Sequence, residues 1–162
     1  GYGQLAWSLR SDPRVVVVER TNVRDLSPEA IGGPVSLVVV DLSFISLATV
    51  LPALVGCASP DADIVPMVKP QFEVGKGQVG PGGVVQDPQM RVDSVLAVSR
   101  RAAELGWHTL DVTASPLPGP SGNVEYFLWL RARTDRALAG DELVAAAQRA
   151  VRESPTTMRG GP

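Results

Sequence analysis

The sequence predicts one α/β domain, in which helices cover a sheet of buried strands. Apolar runs rich in β-branched residues alternate along the chain with segments whose apolar residues recur at helical spacing. This alternation is typical of sheets whose strands are joined by helices, and nearly continuous apolar runs are typical of strands buried on both faces. With 162 residues, 44% of them hydrophobic, the chain is long enough to enclose one sizeable core.

Five apolar runs are predicted to form strands. The first contains four consecutive valines, and residues typical of turns precede the second and third runs, at Gly32–Pro34 and Ser59–Asp61. A segment rich in proline and glycine separates the last two runs, which favours a loop there. The predicted strands are Arg14–Val18, Leu37–Val40, Asp63–Val68, Trp107–Ala114 and Val124–Leu130.

Four segments are predicted to form helices. Ser43 is the expected cap of the second helix, and Gly106 is placed to end the third, whose apolar residues form one stripe. A long glycine-rich loop, 70–88, precedes the third helix, and residues 156–162 are expected to be a disordered tail. The predicted helices are Gln4–Leu9, Ile45–Leu54, Gln89–Leu105 and Asp141–Val151, and the stripe comprises Val92, Val95, Leu96, Val98, Ala102 and Leu105.

Composition excludes several classes of function. A formal net charge of −2 gives no overall basic field, so a nucleic acid must be bound by a local patch or by a separate module. The single cysteine, Cys57, is expected in the core and excludes both a disulfide framework and a cysteine-built zinc site; no metal is expected. No apolar run approaches the ~20 residues that span a bilayer, so a cytoplasmic location is expected.

Three charged residues lie at the ends of predicted strands. Asp41 and Lys69 directly follow two of these strands, and Glu125 lies at the start of the last one. Ionised groups are rarely found at the mouth of a sheet unless they contact each other or a ligand. Because ligands bind outside the carboxyl ends of strands in α/β sheets, Asp41 and Lys69 are expected at the functional edge. Glu125 reaches the same edge only if its strand is antiparallel to the others.

Other motifs give weaker signals. Gly75–Gly80 has the spacing of a dinucleotide-binding loop, but such a loop opens directly into a helix, and none is predicted here before about Asp87. We therefore interpret the loop as a cover over a substrate. His108 has no partner at metal-ligand spacing and is expected to be structural. All three tryptophans lie in periodic apolar elements and are expected in the core; they are Trp7, Trp107 and Trp129.

Three ordered segments around the charged residues carry a specific resemblance. The chain resembles the TlyA (hemolysin A) family of bacterial ribosomal-RNA 2′-O-ribose methyltransferases, from residue 1 to about Pro155. The spacings between the three segments are also compatible with that family. The segments are VVVDLSF at Val38–Phe44, MVKPQFE at Met67–Glu73 and SGNVEYFL at Ser121–Leu128.

The resemblance implies a Rossmann-like class I methyltransferase sheet with an antiparallel last strand, and S-adenosylmethionine as the methyl donor. It implies methyl transfer to cytidine ribose in 16S and 23S ribosomal RNA. In that family a Lys-Asp-Lys-Glu tetrad surrounds the ribose, and Asp41, Lys69 and Glu125 fall on its second, third and fourth members. The implied cofactor residues are Tyr2, Asn22, Val23, Asp41 and Ser43, with an ordinary turn as the alternative for Thr21–Val23, and the implied substrate-loop residues are Gln71 and Lys76.

Part of the family's pattern is not in this chain. The first strand, the glycine-rich cofactor loop, the first tetrad lysine and the S4 RNA-binding module correspond to sequence before Gly1. In such methyltransferases the first two strands lie between the third and fourth, so their removal leaves roughly 10 Å of unpaired backbone at ~4.8 Å per strand. We therefore expect residues 1–155 to be the C-terminal portion of a domain completed elsewhere, and the chain alone to be inactive.

The resemblance also implies what the site must do chemically. A ribose 2′-hydroxyl is a poor nucleophile, so its proton must leave as the oxygen attacks the methyl group. Lys69 is the candidate base if burial lowers its pKa; otherwise it is a fixed positive charge that stabilises the developing alkoxide. Asp41–Phe44 lacks the Pro-Pro-aromatic sequence of many amino methyltransferases, which favours an oxygen target. The alternative function is a non-catalytic RNA-binding or membrane-active, hemolysin-like module, although no cationic apolar helix is predicted.

Overall fold

Four strands form one mixed sheet in the computed structural model, which describes residues 3–75, 77–119 and 121–155. The order across the sheet is β1-β2-β4-β3, and β4 is antiparallel to both of its neighbours, whereas β1 and β2 are parallel. The expected antiparallel last strand is therefore confirmed. The strands are β1 (Val35–Val40), β2 (Ala58–Val68), β3 (His108–Ala114) and β4 (Tyr126–Arg131).

Five helices connect or follow these strands among the described residues. The two longest, α4 and α5, pack against each other and against β3, and α2 packs against α4 and β2. Short 3₁₀ turns occur at Val23–Asp25, Pro28–Ile31 and Pro81–Gly83. The helices are α1 (Trp7–Arg10), α2 (Leu47–Cys57), α3 (Pro70–Glu73), α4 (Pro88–Glu104) and α5 (Gly140–Glu153).

The core lies between the helices and one face of the sheet. Alternate residues of the two central strands, such as Ile64 and Leu128, are fully buried on this face. Cys57, at the end of α2, is also buried, as expected. The predicted stripe of α4 also packs here: four of its residues are buried, and Leu96 and Leu105 are partly buried against the same cluster. The period of 3.6 thus predicted the buried side of this helix correctly.

The opposite face of the sheet is much more exposed. Its residues on β1 include Leu37 and Val39, and the latter side chain is 68% exposed. Trp129 of β4 lies on this face with 43% exposure, and its indole Nε1 donates to Oδ1 of Asp63 at 2.6 Å. The prediction that all three tryptophans are in the core is therefore right for Trp107 and wrong for Trp129 and Trp7. Trp129 is exposed because the described helices that build the core cover one face of the sheet only.

Two strand predictions need correction. No strand forms at Val15–Val18, where Val16 is largely exposed, because a strand requires a neighbour for its backbone hydrogen bonds and none of the described strands lies beside it. Ser59–Asp61, predicted as a turn, is part of β2. A register shift in the β1–β2 pairing, between Val35 and Leu37, accompanies this extension.

The start of α2 also differs from the prediction. Its cap is Ser46, whose Oγ accepts a hydrogen bond from the amide of Ala48 at 3.2 Å, and not Ser43. Phe44 has φ of +63°, a left-handed conformation that cannot belong to a right-handed helix, so the helix begins only after this residue. The predicted loop 70–88 contains the single-turn helix α3. Tyr2, Lys76 and residues 156–162 lie outside the described residues.

Candidate active site

Asp41, Lys69 and Glu125 form one ion-paired cluster at an edge of the sheet. Lys69 Nζ lies 2.7 Å from Oδ1 of Asp41 and 3.5 Å from Oε1 of Glu125. Lys69 and Glu125 are buried, whereas the Asp41 side chain is 64% exposed. The cluster therefore presents one carboxylate to solvent and keeps its ammonium group and second carboxylate inside.

Strand direction and register bring the three residues together. Asp41 follows the last residue of β1, and Lys69 follows Val68, the last residue of β2. Val68 is paired with Tyr126, the first residue of the antiparallel strand β4, so Glu125 comes directly before this pair. The carboxyl ends of β1 and β2 and the amino end of β4 consequently meet at one edge, which is the arrangement that a shared site requires.

The surroundings of Lys69 keep its amine protonated. Burial lowers the pKa of Lys69, but the hydrogen bond to Asp41 and the negative charges of Glu125 and Asp41 outweigh this effect, so the pKa lies above its usual value. In this state Lys69 is an ammonium ion at neutral pH. Lys69 can therefore act as a fixed positive charge in its present state, whereas it would first have to lose a proton to act as a general base.

Glu125 is held by the segment that precedes it. Its backbone carbonyl accepts a hydrogen bond from the amide of Ser115 at 2.8 Å, which fixes the chain at the start of β4. A Cβ atom on Gly119 would lie 2.8 Å from Oε1 of Glu125, closer than non-bonded contacts allow. Gly119 thus leaves the space in which the Glu125 carboxylate reaches Lys69.

A cleft of about 440 Å³ opens beside the cluster. Phe44 and Phe72 form part of its wall, and their ring centroids lie 5.2 Å apart at an interplanar angle of 47°. Phe44 is 91% exposed despite its size. The cleft therefore combines apolar surface with a charged end, as small-molecule and nucleotide sites commonly do. The remaining lining residues are Ser43, Lys69, Gln71, Val79, Gly83, Gly119, Ser121, Asn123 and Glu125.

Two amide side chains line this cleft and differ in their hydrogen bonding. Asn123 is buried, accepts a hydrogen bond from the amide of Val85 at 3.0 Å and donates one to the carbonyl of Gly83 at 2.8 Å. It ties the glycine-rich loop to the segment before β4. Oε1 of Gln71, in contrast, is buried and accepts no hydrogen bond from the described residues. An unsatisfied buried acceptor is costly, and a donor on a bound ligand can satisfy it.

The remaining candidate residues are not brought into the cluster. Asn22 is exposed and caps the 3₁₀ turn Val23–Asp25, its Oδ1 accepting from the amide of Arg24 at 3.1 Å. Val23 is half-buried in the same turn, which packs against α2. Ser43 reaches the cleft, whereas His108 is exposed at the opposite end of the sheet. The glycine spacing at 75–80 is followed by a helix only at Pro88, as expected.

Sequence reasoning did not identify the contacts of Asn123, which lines the cleft, or those of Glu73, which lies four positions after Lys69. Glu73 accepts hydrogen bonds from Ser46 Oγ at 2.6 Å and from the amide of Leu47 at 2.8 Å. Both residues lie within the segments that carry the family resemblance, which was the available signal. Their partners are distant in sequence, so periodicity and strand ends could not reveal the contacts.

Comparison with known proteins identifies the family of this chain. The FtsJ-like methyltransferase family matches residues 1–132. The chain is 79% identical over 155 residues to the 16S/23S rRNA (cytidine-2′-O)-methyltransferase TlyA of Mycobacterium tuberculosis, covering 96% of this chain and 58% of that protein. It is 33% identical over 127 residues to Hemolysin A of Brachyspira hyodysenteriae, covering 78% and 53% of the two chains. The chain thus spans somewhat more than half the length of these relatives.

A solved structure shows the same fold. A hemolysin-named protein from Lactococcus lactis superposes with a TM-score of 0.83 at 35% sequence identity, over 92% of this chain and 72% of that chain. The resemblance to TlyA proteins is therefore confirmed in sequence and in fold. The chain belongs to the FtsJ-like methyltransferase family.

Proposed function

We propose that this chain forms the ribose-facing part of an S-adenosylmethionine-dependent methyltransferase that modifies the 2′-hydroxyl of cytidine in 16S and 23S ribosomal RNA. The ion-paired cluster of Asp41, Lys69 and Glu125 at the end of an apolar cleft carries the proposal. The similar TlyA protein of Mycobacterium tuberculosis is a 16S/23S rRNA (cytidine-2′-O)-methyltransferase by name, which supports the same substrate. Because ribosomal RNA is found in the cytoplasm, we also propose a cytoplasmic location for the protein.

The cluster is suited to a hydroxyl acceptor. S-adenosylmethionine, when bound, supplies an electrophilic methyl group on a sulfonium. Lys69, an ammonium ion held by two carboxylates, binds the 2′-oxygen and stabilises the negative charge that develops on it during attack. As the oxygen lone pair forms the new bond to the methyl carbon, the carbon–sulfur bond of the bound donor breaks and its electron pair goes to sulfur. The 2′-proton passes to the exposed carboxylate of Asp41. Glu125 holds the ammonium group in place from the buried side.

The residues assigned to the methyl donor fit it only in part. Asp41 and Ser43 provide a carboxylate and a hydroxyl at the carboxyl end of β1, close to the cleft. Asn22 has its oxygen engaged as a cap, so its amide nitrogen is the group available to a ligand. We propose that these residues border the donor together with Val23 and Tyr2, and that a glycine-rich loop upstream of this chain supplies the remaining contacts.

We propose that Gln71 and Lys76, the two substrate-loop residues that the resemblance implies, contact the RNA. Gln71 lines the cleft two positions after Lys69, and its buried Oε1 has an open acceptor. A rotation about the soft terminal torsion of the side chain presents this oxygen to an amino group of the nucleotide. The wall formed by Phe44 and Phe72 suits a planar heterocycle.

The exposed edge of the sheet supports the proposal that the domain extends beyond residues 1–155. β1 is at the edge of the described sheet, and Leu37 and Val39 expose apolar surface on its outer face. Unpaired edges and exposed apolar faces of this kind are usually covered. We propose that upstream strands pair with β1, that an S4 module precedes them, and that the chain alone does not turn over.

The alternative is a membrane-active or purely RNA-binding module, and two of the similar proteins carry the name hemolysin. Among residues 3–75, 77–119 and 121–155, no helix has the length and apolar character needed to cross a bilayer. Calorimetry with S-adenosylmethionine tests the enzyme directly. We expect the full-length protein to bind the donor and residues 1–162 alone to bind it weakly or not at all. Absence of binding by the full-length protein would overturn the proposal.

A further inference from the structure

Glu73 connects the two loops that carry Lys69 and Asp41. Its two carboxylate oxygens accept separate hydrogen bonds, from the Oγ of Ser46 at 2.6 Å and from the amide of Leu47 at 2.8 Å. Glu73 is the last residue of α3, the turn that begins directly after Lys69. Ser46 and Leu47 are the cap and first residue of α2, which follows the loop that begins at Asp41.

The environment of Glu73 distinguishes it from an ordinary surface cap. Burial raises the pKa of Glu73, although the hydrogen bonds from Ser46 and Leu47 oppose this effect. The carboxylate also lies at the amino end of α2, where the helix dipole favours negative charge. A partly buried carboxylate whose two oxygens each accept a hydrogen bond has one preferred position, so it fixes the distance between the two loops that it joins.

The distance between these loops determines the geometry of the proposed site. Lys69 lies four positions before Glu73 and must reach Asp41 at 2.7 Å. The Asp41 side chain is 64% exposed, and its ion pair with Lys69 joins the two loops at the site. The rings of Phe44 and of Phe72, the neighbour of Glu73, also contact each other across the two loops, with centroids 5.2 Å apart.

We propose that Glu73 is a positioning residue for methyl transfer: it holds the Lys69 loop against the Asp41 loop and thereby sets the Lys69–Asp41 contact. The inference rests on the proposed function. Glu73 itself does not touch the substrate. It acts through Lys69 and Asp41, in the way that residues outside the reacting shell orient the groups inside it.

The test compares variants of the full-length protein in steady-state kinetics. Glu73→Ala removes both hydrogen bonds, and we expect kcat to fall about 100-fold, the loss that a displacement of about 1 Å can cause, with donor affinity within about two-fold. Glu73→Gln can accept from Leu47 and donate to Ser46, so it should recover most of this loss. Thr109→Val is the control: it breaks the buried 2.6 Å hydrogen bond with Ser99 at the far end of the sheet and should leave kcat unchanged.

A double variant distinguishes positioning from general loss of stability. If Glu73 acts through the Lys69–Asp41 contact, Asp41→Asn with Glu73→Ala should be no slower than Asp41→Asn alone. Losses that multiply, or a loss of kcat in Glu73→Ala no larger than in Thr109→Val, would overturn the proposal.

A second readout does not depend on activity. The ammonium signal of Lys69 in NMR, assigned by its disappearance in Lys69→Arg, reports the pKa of this amine. Glu73→Ala should lower that pKa because the contact with Asp41 loosens, and an unchanged pKa would overturn the positioning role. A full-length protein that methylates no ribosomal RNA would overturn the proposed function, while this titration would still test Glu73.

Discussion

The Nζ atom of Lys69 lies 2.7 Å from Oδ1 of Asp41, although the two residues belong to different loops. They meet because β1 and β2 are parallel neighbours and each residue directly follows its strand. Parallel pairing always brings carboxyl ends to one edge, and the antiparallel strand β4 adds Glu125 there. The position of the cluster is thus a consequence of topology, and its charge state is a consequence of the two carboxylates around one amine.

Gly119→Ala should impair catalysis more than stability. The new Cβ would lie 2.8 Å from Oε1 of Glu125, and the end of that side chain can move aside at little cost in folding free energy. The displaced carboxylate then loses its contact with Lys69, and we expect a rate loss of about ten-fold or more, equivalent to about 1.4 kcal/mol in the barrier. Steady-state assays and thermal unfolding measure the two effects.

Gly56→Ala is the matched control for this variant. Gly56 lies within α2, and a Cβ atom added to it would meet nothing within 4 Å. Because alanine favours helix by up to ~1 kcal/mol over glycine, this variant should be as stable as the wild type or more so, with an unchanged rate. Equal rates for the two alanine variants would show that the position of Glu125 is unimportant.

Lys69 should stabilise the fold through a wide pH range and lose this effect in alkali. Its pKa is raised above the unfolded value, so the folded state binds the proton more tightly. The stabilisation is fully present below the unfolded pKa of about 10.5 and is lost as pH rises through the folded pKa. Denaturant unfolding of the wild type and of Lys69→Met should show a difference in free energy that is constant from about pH 6 to 9 and shrinks above about pH 10.5. A difference that disappears near neutral pH would indicate a lowered pKa and favour Lys69 as a general base.

Gln71→Met should separate RNA recognition from stability. The variant removes a buried acceptor that no described residue satisfies, so the free energy of unfolding should stay constant or rise by up to about 1 kcal/mol. The KM for ribosomal RNA should rise about five- to ten-fold if the oxygen accepts a hydrogen bond from the nucleotide. Gln89→Met makes the same change at an exposed position of α4 and should alter neither quantity. An unchanged KM for Gln71→Met would remove this residue from the RNA site.

The sequence was sufficient for the parts of the site that depend on strand ends. Asp41, Lys69 and Glu125 each border an apolar run, and the antiparallel direction of the last strand was a necessary condition that the structure meets. The apolar stripe of α4 was equally predictable from the sequence, because a local period of 3.6 residues determines which side of the helix is buried.

The predictions that were wrong and the residues that were missed all depend on tertiary contacts. Val15–Val18 has strand propensity but no neighbouring strand, and Trp129 lies on a sheet face that the described helices do not cover. The left-handed conformation of Phe44 excludes this residue from α2, which begins only at Leu47. Phenylalanine rarely adopts this conformation, so the sequence did not predict it. Glu73 lies inside a segment that carries the family resemblance, yet its role depends on its contacts with Ser46 and Leu47, which only the folded chain reveals.

The most direct test of the proposed chemistry measures 2′-O-methylcytidine in 16S and 23S ribosomal RNA after incubation with the full-length protein and S-adenosylmethionine. Nucleoside mass spectrometry should detect the product with the wild type and with Arg133→Met, which removes an exposed cation 3.4 Å from Asp61. Lys69→Met should reduce the rate of product formation by about 100- to 1,000-fold, as expected when a charge-stabilising group is removed, while donor affinity stays nearly intact. Full methyl transfer by Lys69→Met would contradict the central claim.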